Sequence, residues 1–193
     1  MIQESNILTE ERRVVRSGVG VEEYMEFENT TEERHEFHNG DIISLPSYNA
    51  GTSLIITNIV VGFGKQVRGC GNIYAAMLKL NIPAYKKIVY PDVMITLGAE
   101  EFVNNDSMSL QNPIVVIEVL SKGTAKYDQT DKFEYYRSLP SVQEIVFIRQ
   151  NECFVTLYRR QNGGWMMLDM TDSDAVLHLE SVQATISLDD PYA

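Results

Sequence analysis

The sequence contains few of the features that mark zinc-binding, disulfide-rich or membrane proteins. Its two cysteines, Cys70 and Cys153, lie far apart and have no second Cys or His at ligand spacing, so neither a zinc knuckle nor a disulfide scaffold is indicated. No apolar run approaches the roughly 20 residues that a transmembrane helix needs. The N-terminal segment MIQESNILTEERR lacks the basic-then-apolar order of a signal peptide. We therefore expect a cytoplasmic protein without a membrane segment.

Basic residues are also scarce, since 16 Lys and Arg stand against 27 Asp and Glu and give a net charge of −11. Proteins that hold nucleic acid through phosphate contacts are usually basic. The acidity is concentrated at the two ends, because residues 65–137 carry nine Lys and Arg against eight Asp and Glu. Nucleic-acid binding by the middle of the chain therefore stays open. The alternative is a charged surface that only keeps the protein soluble.

Apolar residues occupy 44% of the 193 positions, which suffices for the core of one medium-sized domain. Helical periodicity predicts helices over residues 21–27, 53–67 and 127–138. Strand patterns cover residues 34–38, 41–45, 73–81, 88–97, 113–121, 142–148, 153–160 and 164–170, with a hairpin turn at Asn39-Gly40 and a polar loop over residues 98–112. We expect a single α/β domain over residues 1–193, built on a mixed central β-sheet flanked by helices.

One predicted strand, NPIVVIEVLS, places Glu118 inside an otherwise apolar run. Such a run is typical of a strand covered on both faces, where an unpaired charge is strongly unfavourable. A second carboxylate, Asp92, lies in the apolar strand that contains YPDV. Two carboxylates on adjacent strands repel each other unless a divalent cation neutralises them or one stays protonated, and oxygen ligands of this kind suit Mg²⁺ or Mn²⁺. The alternative is a buried glutamate that pairs with an arginine or with backbone N–H groups.

Four sequence blocks resemble the Uma-type endonuclease family, a former domain of unknown function within the PD-(D/E)XK restriction-endonuclease-like superfamily. The blocks are ERHEFHNGDII, YPDVMIT, PIVVIEVLSKGT and DQTDKFEYYRSLPSVQEIVFI, and they cover most of the chain in the family's order. The resemblance implies a restriction-endonuclease-like α/β core and a Mg²⁺- or Mn²⁺-dependent endonuclease that hydrolyses phosphodiester bonds in DNA. It also implies a homodimer, because two sites related by a two-fold axis can cut both strands of a duplex.

The resemblance further implies a metal site made by Asp92, Glu118 and the backbone carbonyl of Val119. The usual Glu-x-Lys pattern of the superfamily would place a lysine at position 120, where this sequence has Leu120. The matching lysine is Lys132, which lies on the following helix and would position or polarise the attacking water.

Lys132 belongs to the pattern Asp128-x-x-x-Lys132-x-x-x-Tyr136, whose three residues share one helical face. The alternative for this pattern is a surface ion pair between Asp128 and Lys132, with Tyr136 in the core. Glu36 occupies the acidic position before the hairpin turn and is expected as a further metal or water contact, or else as a cross-strand partner of Arg34. Lys79 could orient phosphate in place of Lys132, or could be a solvated lysine at a sheet edge.

Three functions follow from these residues. The first is the metal-dependent DNA endonuclease, which predicts that Asp92, Glu118 and Lys132 converge. The second is a catalytically silent nuclease-fold module that binds or regulates a partner, which the acidic charge favours. The third is a metal-dependent hydrolase of another phosphate ester.

Overall fold

The computed structural model describes residues 13–103, 106–120 and 128–193. Within these residues the chain forms a seven-stranded sheet, a six-stranded sheet, a two-stranded hairpin and three α-helices. The α-helices are α1 (Val21–Glu28), α2 (Ala50–Val67) and α3 (Phe133–Arg137), and a π-helical turn (Asp128–Lys132) leads directly into α3. None of the helices described is long and apolar enough to cross a bilayer.

The six-stranded sheet carries Glu118 and is mixed. Its strands are β4 (Gly71–Ala75), β7 (Val93–Leu97), β10 (Val115–Leu120), β11 (Glu144–Arg149), β12 (Val155–Gln161) and β13 (Gly164–Met170), in the order β13-β12-β11-β10-β7-β4. Strands β10 and β11 run parallel, and the other neighbours are antiparallel. The central strand β10 is buried over its whole length. An α/β fold with a mixed sheet is thus confirmed, whereas the single-domain organisation stays a prediction.

The seven-stranded sheet is a second layer that the sequence did not predict. Its strands are β1 (Val14–Ser17), β2 (His35–His38), β3 (Asp41–Ser44), β5 (Lys79–Ile82), β6 (Lys87–Val89), β8 (Phe102–Val103) and β9 (Asp106–Leu110), in the order β1-β3-β2-β6-β5-β9-β8. Strands β2 and β3 form the expected hairpin, in which Asn39 and Gly40 both have positive φ (50° and 104°). Two positive φ angles suit a two-residue turn whose twist matches that of the flanking strands.

Two predicted strands, over residues 73–81 and 88–97, are each wrong in the same way. Each is a pair of short strands that passes from one sheet to the other, β4 to β5 and β6 to β7. The first break occurs at Ala76, which has a φ of 58°, and the second at Pro91, which has no N–H to give to a ladder. The two points at which the chain passes between the sheets are adjacent, because the Ala76 N–H donates to the carbonyl of Asp92 at 2.8 Å. Asp92 therefore stands where the two sheets meet.

Two further expectations are corrected at the edges of the fold. The predicted polar loop over residues 98–112 contains β8 and β9. The end of the chain, for which no strand was predicted, forms the hairpin of β14 (Val176–Leu179) and β15 (Ala184–Ser187). The helix predicted over residues 127–138 is split into the π-helical turn and α3, and Tyr127 and Ser121 lie outside the described residues.

The core lies on both faces of the six-stranded sheet. On one face, Val115, Ile117 and Val119 of β10 pack with α2 and the C-terminal hairpin. On the other face, Val116 and Leu120 pack with residues of β5, β9 and α3. Helix α2 begins at an Asn49 cap, whose side chain accepts the Thr52 N–H at 2.9 Å. Since side chains alternate along a strand, Glu118 shares a face with Val116 and Leu120 and points towards α3.

Candidate functional site

Glu118 is held by two side chains from the helical segment that follows β10. The side chain of Lys132 donates to Glu118 Oε2 at 2.8 Å, and the hydroxyl of Tyr136 donates to Oε1. The Lys132 side chain is only 13% exposed, so this contact is a largely buried ion pair. Lys132 and Tyr136 are four residues apart, which places both over the same carboxylate. Lys132 therefore contacts Glu118, whatever its relation to Asp128 on the helix surface. The side chain of Asp128 lies outside the described residues, so the alternative Asp128–Lys132 pair is not tested.

Asp92 is held by different donors on the strand next to Glu118. The backbone N–H of Val119 donates to Asp92 Oδ2 at 2.7 Å, and the hydroxyl of Tyr48 donates to Oδ1 at 2.6 Å. The ladder between β7 and β10 ends at the pair Val93–Ile117, and Asp92 and Glu118 are the residues next to this last pair. Both carboxylates are buried, with exposures of 5% and 2%. The structure therefore brings Asp92, Glu118 and Lys132 to one end of the β7–β10 pair.

This arrangement has the chemistry of a divalent-cation site that uses few protein ligands. Two buried carboxylates next to the last pair of the β7–β10 ladder supply the oxygen ligands that Mg²⁺ and Mn²⁺ prefer, and Mg²⁺ sites commonly use one or two carboxylates with water and substrate phosphate. The Val119 N–H donates to Asp92. Because the N–H and C=O groups of one strand residue point to the same side of the strand, the Val119 carbonyl also lies on the Asp92 side of β10. Among the residues described, no three His, Cys, Asp or Glu side chains come together as a metal-binding group.

Glu36 lies on β2 of the other sheet and reaches the strand that leads to Asp92. Its Oε1 accepts the Tyr90 N–H at 3.3 Å, and its Oε2 lies 2.9 Å from His38 Nε2. The ammonium of Lys87 in turn lies 3.0 Å from His38 Nδ1. Since an ammonium can only donate, His38 accepts at Nδ1 and its Nε2–H donates to Glu36. Glu36 is thus linked to His38, two residues further along the same strand, and a role of Glu36 at a metal ion or water stays a prediction.

Arg34 and Tyr48 fix the place where the sheets meet. The Arg34 guanidinium donates to the carbonyl of Ala76 at 2.6 Å and lies 4.6 Å from the centre of the Tyr48 ring. Burial, together with the adjacent Asp92 carboxylate, raises the pKa of Tyr48. The hydroxyl therefore stays protonated at neutral pH and keeps donating to Asp92.

Lys79, the second candidate lysine, is neither solvated nor on the Glu118 side. It is 2% exposed and its Nζ lies 3.7 Å from the sulfur of Met25 in α1. Its neighbour Leu80 faces the core between the sheets, so alternation sends Lys79 to the outer face of the seven-stranded sheet.

The sequence did not predict the contacts that Tyr48 and Glu28 make at the candidate site, and both residues lie outside the four sequence blocks that resemble the family. Tyr48 precedes α2 in a polar segment, and nothing in its spacing to Asp92 indicates contact, because 44 positions separate them. Glu28, at the end of α1, accepts hydrogen bonds from the Tyr90 hydroxyl at 2.8 Å and the His35 N–H at 3.0 Å. Tyr136 was predicted, but its contact with Glu118 depends on how α3 packs and is not visible in the helical pattern.

Comparisons with known proteins identify similar chains and a similar fold. A protein of Synechocystis sp., "Uncharacterized protein sll1609", is 28% identical over 156 residues, which are 79% of this chain and 88% of that protein. A second, "Uncharacterized protein slr1290", is 28% identical over 176 residues, which are 89% and 90% of the two chains. A crystal structure of "a putative nuclease belonging to DUF820" from Anabaena variabilis superposes with a TM-score of 0.73 at 19% identity, over 90% of this chain and 97% of that one.

The similarity to the Anabaena structure shows a shared fold, and the family follows from the sequence. The model of one family, Uma2, described as "Putative restriction endonuclease", matches residues 21–189. This match includes Asp92, Glu118 and Lys132 and extends over most of the described structure. The chain therefore belongs to the Uma2 family and has its nuclease-like α/β fold.

Proposed function

We propose that the protein is a Mg²⁺- or Mn²⁺-dependent endonuclease that hydrolyses phosphodiester bonds in DNA. The observation that carries this proposal is that two buried carboxylates, Asp92 and Glu118, lie next to the last pair of the β7–β10 ladder, with the amine of Lys132 at 2.8 Å from Glu118. The acidic pair and the lysine come from separate segments of the chain, and the fold brings them to one end of β10. Family membership supports the same activity.

Asp92, Glu118 and the carbonyl of Val119 would hold the metal ion. When bound, a divalent ion lowers the pKa of water and stabilises negative charge on a phosphate. Glu118 would need to present an oxygen that now accepts from Lys132 or Tyr136, and a carboxylate oxygen can accept more than one hydrogen bond. The hydroxyls of Tyr48 and Tyr136 orient the two carboxylates, which limits the reorganisation needed on binding.

Lys132 has the second role. Its amine, held on Glu118, can orient a water for attack on phosphorus and can donate to a phosphate oxygen as charge develops there. Lys132, on the helical segment that follows β10, would take the role of the lysine that the Glu-x-Lys pattern places at position 120, where this chain has Leu120. Glu36 would act from the neighbouring sheet by fixing the segment at Tyr90, two residues before Asp92. A homodimer would provide two such sites for the two strands of a duplex.

A catalytically silent nuclease-fold module is the second candidate, and two observations favour it. The net charge of −11 opposes binding to a polyanion. All four oxygens of Asp92 and Glu118 accept hydrogen bonds within the protein, which would also stabilise the pair in a module that binds no metal.

The test is cleavage of supercoiled plasmid with Mg²⁺ or Mn²⁺, run beside Mn²⁺ binding measured by electron paramagnetic resonance. Wild-type protein should nick and linearise the plasmid, and Asp92→Asn and Glu118→Gln should each lower the rate by at least about 100-fold, since even outer partners of metal ligands are worth 10–100-fold. Both variants should also weaken Mn²⁺ binding. Glu152→Gln, at an exposed surface pair, is the matched control and should cleave normally.

Two results would contradict the proposal. Cleavage by Glu118→Gln at the wild-type rate would remove the site assignment. Failure of the wild-type protein to cleave with either ion would favour the silent module, and Mn²⁺ binding would then show whether the carboxylates still hold a metal.

A further inference from the structure

A groove of about 650 Å³ lies beside α3, between the β12–β13 hairpin and the turn Pro83–Tyr85 that joins β5 to β6. Four aromatic side chains line it: Tyr85, Phe133, Tyr158 and Trp165. The Phe133 ring contacts two of the others, with centroids 4.3 Å from Tyr158 and 5.6 Å from Trp165. Tyr85 is exposed and Trp165 is half-buried. This aromatic groove therefore presents ring surface to solvent.

Two arginines also line the aromatic groove, and their charges are used differently. Arg137 pairs with Glu134 at 2.7 Å, so its charge is balanced within the lining. The Nε and Nη2 groups of Arg160 donate instead to backbone carbonyls. These carbonyls belong to Val142, at 2.9 Å, and to Arg137 and Leu139, both at 3.0 Å. In the described part of the chain, no carboxylate pairs with Arg160 and no hydrogen bond uses its Nη1. The groove thus keeps one positive charge in a chain whose net charge is −11.

This positive charge lies next to the largest ring of the aromatic groove. The Arg160 guanidinium is 4.6 Å from the centre of the Trp165 ring. Aromatic surface with an adjacent cation is the pattern by which proteins bind single-stranded nucleic acid, because bases stack on the rings while the cation attracts a phosphate. An apolar ligand would leave the charge of Arg160 without a counterpart. The lining therefore favours a ligand that has both a flat ring and a negative charge, as a nucleotide does.

The aromatic groove adjoins the candidate metal site along one helical segment. Phe133 follows Lys132 directly in the chain, and the Lys132 amine lies 2.8 Å from Glu118 Oε2. Phe133 and Arg137 are four residues apart and share a helical face, which lies beside the face of Lys132 and Tyr136. A DNA strand with one phosphate at Lys132 can therefore place a neighbouring nucleotide in the groove.

We propose that the aromatic groove binds an unpaired nucleotide of the DNA substrate, with its base stacked on ring surface that includes Trp165 and its phosphate paired with Arg160. The substrate is that of the proposed nuclease function, on which this assignment rests. A duplex keeps its bases stacked inside the double helix, so the groove selects a single-stranded segment beside the bond that is cut.

Trp165 is the one tryptophan of the chain, so its fluorescence reports directly on the groove. The titrant is an oligothymidylate of about 12 nucleotides, within the range of single-strand site sizes, and EDTA is present so that no metal-dependent cleavage occurs. The oligothymidylate should quench Trp165 in a saturable manner. An abasic oligonucleotide of the same length, and a duplex of that length, should bind at least about 5-fold more weakly, as expected for loss of one base–aromatic stack.

Variants are compared by the fluorescence anisotropy of labelled oligothymidylate. Trp165→Leu and Tyr85→Leu should each weaken its binding about 5-fold or more and leave abasic binding unchanged, whereas Trp165→Phe should retain most of the affinity. Arg160→Gln should weaken both oligonucleotides and reduce the salt dependence by about one phosphate contact. Phe154→Leu is the matched control, because its ring also has an arginine over it, Arg149 at 3.8 Å, but lies outside the groove. It should bind as the wild type does.

Thermal melts identify any variant that has lost its fold. Equal binding of oligothymidylate and the abasic oligonucleotide, unquenched Trp165, or wild-type affinity in a folded Trp165→Leu variant would overturn the proposal. Plasmid cleavage with Mg²⁺ is scored separately. Cleavage without base-dependent quenching removes the groove assignment alone. Base-dependent quenching without cleavage removes the nuclease activity and leaves the groove as a site for single-stranded DNA.

Discussion

Two buried glutamates on neighbouring strands make a direct comparison within this fold. Glu118 lies near the end of β10, and Glu144 begins β11, its parallel partner strand. Their exposures are 2% and 0%, and each forms an ion pair with a basic side chain, Lys132 and Arg159 respectively, at 2.8 Å. Burial and pairing are therefore the same for both residues.

The difference lies in the remaining partners. Glu144 also accepts the N–H groups of Glu180 and Ser181 at 3.2 and 3.0 Å and the Ser181 hydroxyl at 2.5 Å. These contacts tie the six-stranded sheet to the turn between β14 and β15. Glu118 accepts only side-chain donors in its described contacts and, like Asp92, lies next to the last pair of the β7–β10 ladder. In this fold, the nearby second carboxylate is therefore the feature that distinguishes Glu118, the candidate site residue, from Glu144.

The largest expected effect is on stability at Glu144. Glu144→Ala would leave the Arg159 Nε–H, the Ser181 hydroxyl and two backbone N–H groups without their acceptor, and loss of one partner from a buried pair costs roughly 3–5 kcal/mol. Glu118→Ala should cost less, roughly 1–2 kcal/mol, because its described donors are side chains rather than backbone N–H groups and removal of one carboxylate relieves repulsion of Asp92. Urea denaturation of both variants measures the difference.

An equal loss of stability in the two variants would contradict the distinction between a structural and a functional glutamate. Arg149→Ala, at an exposed pair with Glu152, serves as a reference for surface ion pairs, whose contribution is about 0–1 kcal/mol.

The strands that the sequence predicted well are those with a continuous local pattern. The last of them, Gly164–Met170, has the predicted bounds, and the hairpin at Asn39-Gly40 forms as its turn chemistry indicates. The seven-stranded sheet was not predicted, because the alternation of apolar and polar residues in a strand does not indicate which neighbouring strand it pairs with. Ala76 and Pro91 interrupt two apolar runs where the chain changes sheets, and only the pairing of distant strands makes those breaks visible.

The candidate site shows the same limit. Asp92 and Glu118 could be found as carboxylates in apolar strands, and family resemblance pointed to Lys132. The same pattern in QEIVFI also places Glu144 in an apolar strand, where its contacts are structural. Tyr48 could not be found, because a hydroxyl 44 positions from its acceptor leaves no local signal.

The second-largest expected effect is on plasmid cleavage, and it distinguishes the two candidate active lysines, Lys132 and Lys79. Lys132→Met should lower plasmid cleavage about 100-fold, a loss comparable to that of one preorganised donor to a developing charge. It should also lower stability by roughly 1–3 kcal/mol, since Glu118 loses its cation. Lys79→Met should affect cleavage less, because its amine lies near Met25 on the outer face of the other sheet.

Cleavage rates are compared for protein that is folded by circular dichroism at the assay temperature. Lys65→Ala, at an exposed position on α2, controls for the change in net charge. A larger loss in Lys79→Met than in Lys132→Met would reverse the assignment and make Lys79 the active lysine.

The smallest effect concerns the hydroxyl that orients Asp92. Tyr48→Phe should weaken Mn²⁺ binding about 10-fold, at the low end for an outer partner of a metal ligand, and should cost about 1 kcal/mol of stability. Tyr192→Phe is the matched control. Burial raises the pKa of Tyr192 to about 12, and its hydroxyl donates to the carbonyl of Arg149 at 2.8 Å, away from Asp92. It should lose similar stability with unchanged Mn²⁺ affinity. Equal Mn²⁺ affinities for the two variants would show that Tyr48, like Glu144, has only a structural role.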